Sequence, residues 1–237
     1  MAGRIAYLGN IVTQGLVLDL DAAIKGSYPG TGSVWTDVSN NGNNGTLTNG
    51  PAFSSADYGS IVFDGVDDYV NDVGSVSTFS FIQNTGIFTI GMWIKPAVLN
   101  KTHYFLGNTP TSVEKGFYYG FNSSNGLRFD IMRGNNSAVL IFTAANFIST
   151  TDWVNITAVG NGSTVTLYKN GSSFQTSTGM SNFPTGDSTR VLNVGRITSY
   201  SSETFQGNIS VSQIYNRALS ADEVSQNFNA LRGRYGI

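Results

Sequence analysis

The sequence predicts an all-β protein: two antiparallel sheets packed as a β-sandwich or jelly roll, with one short helix near the C-terminus. Three observations predict it. Short apolar stretches alternate with polar residues at period two rather than at helical spacing. Asn-Gly pairs recur between them, and Asn161-Gly162 and Asn170-Gly171 fall nine residues apart, a spacing that suits hairpins. Charged residues make up only 12% of the chain, against a usual share of roughly 25%. Gly, Ser, Thr and Asn stand in their place.

The elements follow in order. "GLVLDLDA" sets Leu16, Leu18 and Leu20 on one face and Val17, Asp19 and Asp21 on the other. Residues 22–60 are rich in glycine, but Trp35, Leu47 and Phe53 predict an ordered loop packed on a sheet. "GSIVFDGVDDYVND" brings Ile61, Val62 and Phe63 into the core and then gathers Asp64, Asp67, Asp68, Asn71 and Asp72. "GIFTIGMWIKP" turns Phe88, Ile90, Met92 and Ile94 inward and Thr89, Gly91 and Trp93 outward. Pro96 ends it, having no N–H for a ladder. "KGFYYGFNSSNGLRFDIMRGNN" is a hairpin turning at Asn125-Gly126, "WVNITAVGNGSTVTLYKNGSSFQTS" a meander, and "TRVLNVGRI" and "FQGNISVSQIYNRAL" two further strands. The helix is "SADEVSQNFNALRGRYG". Ser220 and Glu223 form a capping box, Val224, Phe228 and Leu231 a buried stripe, and Gly233 the expected left-handed C-terminal cap. No internal repeat or composition break divides the chain. Residues 1–13 read as an N-terminal arm and 14–237 as one sandwich domain.

Composition excludes several functions. The net charge is −2 and the pI about 5.2, with no basic stripe bearing interleaved aromatics, so no nucleic-acid partner is expected. With no cysteine there is neither a disulfide nor a thiolate metal site. No apolar run approaches the roughly 20 residues that cross a bilayer, so no membrane partner is expected. "MAGRIAYLGNIVTQG" lacks the apolar run of a signal peptide, which predicts use without Sec export or release by lysis.

The chemistry-bearing residues leave alternatives open. One histidine, His103, and three glutamates far apart, Glu114, Glu203 and Glu223, offer no catalytic constellation, so no enzyme is expected. A structural role suits His103. Asp21, Asp37, Asn43, Asn44, Asp64, Asp67 and Asp68 are short oxygen donors near Gly-rich backbone, fit either for a hard cation such as calcium or for Asx-turns. Trp93, Tyr104, Tyr118, Tyr119 and Tyr200 are either sugar platforms or core, with Tyr104, Tyr118 and Tyr119 the candidate ligand-binding rings.

Two segments carry a family resemblance. "GLVLDLDAA…SYPGTGSVWTDVSNNGNNGTLTNGPAF…GSIVFDGVDDYV" resembles the opening of laminin-G-like, concanavalin-A-like jelly-roll domains. "GNISVSQIYNRALSADEVSQNFNALRGRYG" is similar to their closing strand and helix. The resemblance implies two antiparallel sheets of about six or seven strands each. It also implies a calcium near the sheet rim, for which Asp21, Asp37, Asn43 and Asp64 are the matching positions. The strand motif of the family's glucanases, Glu-x-Asp-x-x-Glu, is absent, which points to a binding or structural module.

The wording "SYPGTG" and "NFNALRGRYG" resembles versions in virion proteins of tailed bacteriophages. That implies a non-enzymatic capsid-decoration, head-fibre or tail-associated protein. It would be present in many copies or as a homo-oligomer, bound to host-surface glycans and, through residues 1–13, to other virion subunits; the alternative for that arm is an edge strand added to its own sandwich. It would be assembled in the host cytoplasm and released by lysis. The alternative is a secreted, extracellular lectin module. A glycoside hydrolase would require an Asp pair across a cleft.

Overall fold

In the computed structural model, which describes residues 10–109, 113–197 and 204–237, the alternating stretches become strands. In chain order they are β1 (Leu16–Asp21), β2 (Val34–Trp35), β3 (Gly45–Thr48), β4 (Ala52–Ser54), β5 (Ser60–Asp64), β6 (Tyr69–Val73), β7 (Ile87–Pro96) and β8 (His103–Gly107). Then come β9 (Lys115–Phe121), β10 (Leu127–Gly134), β11 (Ser137–Ala144), β12 (Val154–Asn161), β13 (Thr164–Lys169), β14 (Ser172–Thr178), β15 (Leu192–Val194) and β16 (Gln206–Tyr215). Two α-helices join them, α1 (Ser80–Thr85) and α2 (Ala221–Leu231).

The strands form two 8-stranded sheets. The first runs β14-β13-β12-β7-β16-β5-β4, with β1 also on β16; the second runs β11-β10-β9-β8-β15-β6-β3-β2. Neighbouring strands pair antiparallel, as expected of a jelly roll. β16 pairs β7 along one edge and divides its other edge between two strands, β5 through Gln206–Ile209 and β1 through Val211–Tyr215. The expected count of six or seven strands per sheet is exceeded because the 22–60 loop is itself pleated: β2 and β3 join the second sheet and β4 the first. Trp35 in that loop is fully buried, and Leu47 and Phe53 pack on the core.

The core lies between the sheets. β7 turns Phe88, Ile90, Met92 and Ile94 inward, and β9 and β10 answer with Phe117, Tyr119, Phe121, Leu127, Phe129 and Ile131. Phe88 stacks on Phe129 at 5.1 Å between ring centroids. Each such burial contributes about 1.5–3 kcal/mol. At the end of β5 the chain reverses through Gly65, whose φ of 79° is open to glycine at little cost. β6 then returns Val70 to the core.

The outer face of the first sheet is also covered. α2 begins with the expected capping box: Ser220 Oγ accepts from the Glu223 amide, and Glu223 Oε2 accepts from the Ser220 amide. Val224 and Leu231 are buried, and Phe228 stacks on Trp93 at 5.6 Å. Gly171, in the β13–β14 turn, lies under Phe228, and a Cβ there would come 2.9 Å from the ring. Gly233 is not the cap. The helix tightens into a 3-10 turn over Arg232–Arg234, and the left-handed residue is Gly236, with φ of 71°. The tighter turn carries Arg234 back over β1 to meet Asp21.

Beyond the strands of the 22–60 loop, two elements were missed in the sequence. α1 has no side-chain cap and only six residues, so no pattern announces it. β11, "SAVLIFTA", alternates buried and exposed residues from Leu140 to Ala144, but its exposed Ile141 is apolar, so the run "AVLIF" shows no period-two pattern in the sequence. Of the N-terminal arm, Ile5 and Tyr7 lie outside the described residues. Its last residues dock on their own domain without forming a strand: the Val12 amide donates to Asn227 Oδ1, Tyr215 Oη donates to the Val12 carbonyl, and Ile11 packs beside Trp93.

Candidate functional site

Alternation along β9 and β10 decides which side chains reach the outer face of the second sheet. Phe117, Tyr119 and Phe121 point inward, so Tyr118 points out; Leu127, Phe129 and Ile131 point inward, so Arg128, Asp130 and Met132 point out. Cross-strand register lines these up in two rows. One runs Asn193, Gly107, Tyr118, Asp130, Ile141, and the next Tyr104, Gly120, Arg128, Thr143.

At the centre of the rows is a locked polar group. Tyr118 Oη donates to Asp130 Oδ2 at 2.5 Å, and Arg128 Nε donates to the same oxygen at 2.8 Å. Arg128 Nη2 donates to Tyr118 Oη at 2.9 Å, and the Phe142 amide to Asp130 Oδ1 at 3.2 Å. Asp130 is fully buried, whereas the Arg128 side chain is 32% exposed. Burial and the Asp130 carboxylate push the Tyr118 phenol far above its ordinary range, so it stays a donor. Tyr104 meets Tyr118 edge to face at 5.2 Å. Arg196 lies 3.2 Å over the Tyr69 ring on the same sheet. Asn193 is buried, and neither of its amide atoms has a hydrogen-bond partner among the described residues.

Of the three candidate rings, then, the structure brings Tyr104 and Tyr118 together on this face and sends Tyr119 into the core, fully buried. Tyr104 and Tyr118 are themselves buried, so they present edges rather than open platforms. Trp93 is covered by α2, and Tyr200 lies outside the described residues. His103 is buried, with Nδ1 3.3 Å from the Gln206 amide, and burial lowers its pKa, which keeps the imidazole neutral.

The four positions matched to a calcium site do not converge. Asp21 receives both bonds of a buried ion pair from Arg234 Nη1, at 2.8 and 2.7 Å. Asp37 accepts from the amides of Asp19, Ser39 and Asn43 and from Ser39 Oγ. Asn43 donates to the Val17 carbonyl. Asp64 belongs elsewhere, with Asp67 and Asp68, their carboxylate oxygens within 4.8 Å of one another. There Asp68 Oδ2 accepts from the Asp64 amide, and Asp64 Oδ1 accepts from the Val66 amide. Calcium takes six to eight oxygens. The Asp21 and Asp37 carboxylates are already engaged by protein donors, so the donor set does not fit the ion.

Asp19, beside Asp21, is 5% exposed and among the described residues accepts one side-chain bond, from Gln213 Nε2. Burial first, and then the neighbouring Asp21 and Asp37, push its carboxyl up to about 7. The unfolded carboxyl titrates at 3.8. Between those values the folded state binds the extra proton, so stability falls as pH rises through that window. Asp19→Asn keeps the Gln213 acceptor and removes the buried charge. The variant is expected to be more stable than the parent at pH 8, by at most about 4 kcal/mol, and by less than half as much at pH 5. Urea melts at both pH values check this; a gap that does not narrow at pH 5 would refute it.

The family model described as the concanavalin A-like lectin/glucanases superfamily matches residues 64–225. No curated protein matches the chain in sequence. Among solved structures, the binding domain of Paraclostridial Mosquitocidal Protein 1 superposes with a TM-score of 0.69 at 18% identity, covering 92% of this chain and 52% of its own. Domain 4 of AbnA, a GH43 extracellular arabinanase from Geobacillus stearothermophilus in complex with arabinotriose, gives 0.67 at 15% identity, covering 90% and 97%. The receptor binding domain of botulinum neurotoxin C/D mosaic serotype gives 0.67 at 15% identity, covering 92% and 51%. The chain therefore spans about half the length of the two toxin structures.

Proposed function

Because the chain belongs to the concanavalin A-like lectin/glucanase superfamily, we propose that it is a non-catalytic glycan-binding module whose contact surface is the outer face of its second sheet. The observation that carries this reading is the Tyr118–Asp130–Arg128 group. Buried Asp130 and Tyr118 fix a half-exposed guanidinium, and a donor held in place recognises a hydroxyl or carboxylate at little entropic cost. Exposed Ile141 and Thr143 flank it, an apolar and a polar surface of the kind a sugar ring presents. The structural neighbours agree in kind, two being toxin binding domains and the third holding arabinotriose. The glutamates favour a non-catalytic role. Glu114 is engaged by Thr189 and Arg190, and Glu223 by Arg217 and the helix cap, while Glu203 lies outside the described residues.

A glycan array probed with the purified chain tests the reading. Saturable binding to a defined glycan set is expected. Arg128→Lys, which keeps a cation beside Asp130 but loses the fork, is expected to weaken it at least tenfold. Ile141→Asp on the exposed flank is expected to weaken it independently. Wild-type binding by both variants would remove the site, and a blank array the function.

The setting we propose is the virion of a tailed bacteriophage, with residues 1–13 contacting neighbouring subunits. The wording of the opening and closing segments supports it. Antibody to the purified chain should then label isolated phage particles. Label confined to culture fluid would instead favour the secreted lectin.

A further inference from the structure

A cavity of about 280 Å³ opens between the outer face of β1 and β16, the end of α2 and residues 10–13. Its floor is polar, with Asp19, Asp21, Gln213 and Arg234, and its walls include Ile11, Ile24, Ala230 and Leu231. All four floor residues are at least nine-tenths buried. An apolar cavity of 150 Å³ holds benzene, so this one has room for about ten non-hydrogen atoms.

The floor carries an uncompensated acid. Asp21 is neutralised by Arg234, and Asp37, behind Asp19, is saturated by four donors. Asp19 accepts through Oδ1 only, from Gln213, and among the described residues its Oδ2 receives no hydrogen bond. Gln213 gives one amide N–H to Asp19, and among the described residues its Oε1 receives no hydrogen bond, which makes it a second acceptor. One free carboxylate oxygen and one amide oxygen beside a guanidinium fall well short of a metal's oxygen shell. They suit an ammonium group, which brings three donors and no acceptor. The apolar walls suit a short alkyl stem behind it.

We propose that this cavity binds a primary alkylammonium group, its nitrogen on Asp19 and Gln213 and its stem against Ile11, Ile24 and Leu231. The group has two sources, a free aliphatic amine or the lysine side chain of a protein partner. Burying a charge is costly unless it is paired, so the amine and Asp19 each supply what the other lacks. This site is independent of the glycan face, which lies on the opposite sheet.

The test uses the whole chain at pH 7.5, titrated with n-butylamine and, separately, with N-acetyl-lysine methylamide. 1-Butanol serves as the uncharged analogue and sodium chloride as the ionic control. Methyl NMR shifts of Ile11 and Ile24 report the site. Saturable shifts with at least one of the two amines, and none with 1-butanol or salt, are expected. Binding of butylamine alone identifies a small free ligand. Binding of the blocked lysine as well identifies a side chain that can enter from a partner. Asp19→Asn should weaken binding at least tenfold while circular dichroism stays native. Ala230→Leu, which fills the cavity without changing charge, should do the same. Unchanged binding in both variants, or no saturable shift with either amine, would overturn the proposal.

Discussion

Arg234→Ala should destabilise the domain by about 3–5 kcal/mol, because it strands a buried carboxylate without its partner. The Arg234 side chain is 6% exposed and that of Asp21 3%, so water replaces the lost guanidinium poorly. The penalty is sharpened by Asp19 nearby, whose ionised form Arg234 helps to hold. The pair itself need not be worth so much. Removing both charges with Asp21→Asn and Arg234→Met should restore a large part of the loss, since replacing a buried ion pair with packed neutral groups is often close to neutral. Urea denaturation at pH 7.5 measures both. A loss below about 1 kcal/mol for the single variant would show that the cavity admits enough water to solvate Asp21.

Trp93→Ala should cost a similar amount, about 3–5 kcal/mol. Trp93 is an outward residue of β7 that is nevertheless 1% exposed. Tyr235 stacks on it at 4.1 Å and Phe228 at 5.6 Å, with interplanar angles of 20° and 10°. Trp153 reaches the same cluster through Tyr235 at 4.7 Å. Removing the indole takes away the surface on which the C-terminal segment rests. Both denaturation midpoint and helical circular dichroism should therefore fall together. If the midpoint falls while the helical signal is unchanged below the transition, α2 is held by Val224 and Leu231 without the stack.

The fold was legible wherever one face of a strand was apolar and the other polar. β7 is the clearest case, with Phe88, Ile90, Met92 and Ile94 all read correctly as inward. The same rule would have separated Tyr118 from Tyr119. In "FYYGF" the inward positions are Phe117, Tyr119 and Phe121, which leaves Tyr118 alone outside. Arg128 and Asp130 also had a signal, two charges on one strand face opposite Leu127, Phe129 and Ile131, in a chain with few charges. Asp21, Asp19, Gln213 and Arg234 had none. Nothing local to β1 reports that its outward acids will be covered by a turn more than 200 residues later, with Arg234 on Asp21 at a separation of 213. Oxygen donors near glycine read equally as cation ligands or as turn makers. The deciding fact, that Asp37 spends itself on the amides of Asp19, Ser39 and Asn43, exists only in three dimensions.

The meeting of the first described residues with the last helix gives the domain a direction. The Asn10 carbonyl accepts from Gln226 and the Val12 amide donates to Asn227, so the chain enters and leaves over the same side of the first sheet. Arg128 and its rows lie on the far side of the second. A body tethered through these two segments therefore holds the face that carries Arg128 away from the anchor, like a lamp on a wall bracket. By the same geometry a short linker can join residue 237 to residue 10 and new ends can be opened in an exposed turn such as Asn161–Ser163, leaving the sandwich and its outward face as they are.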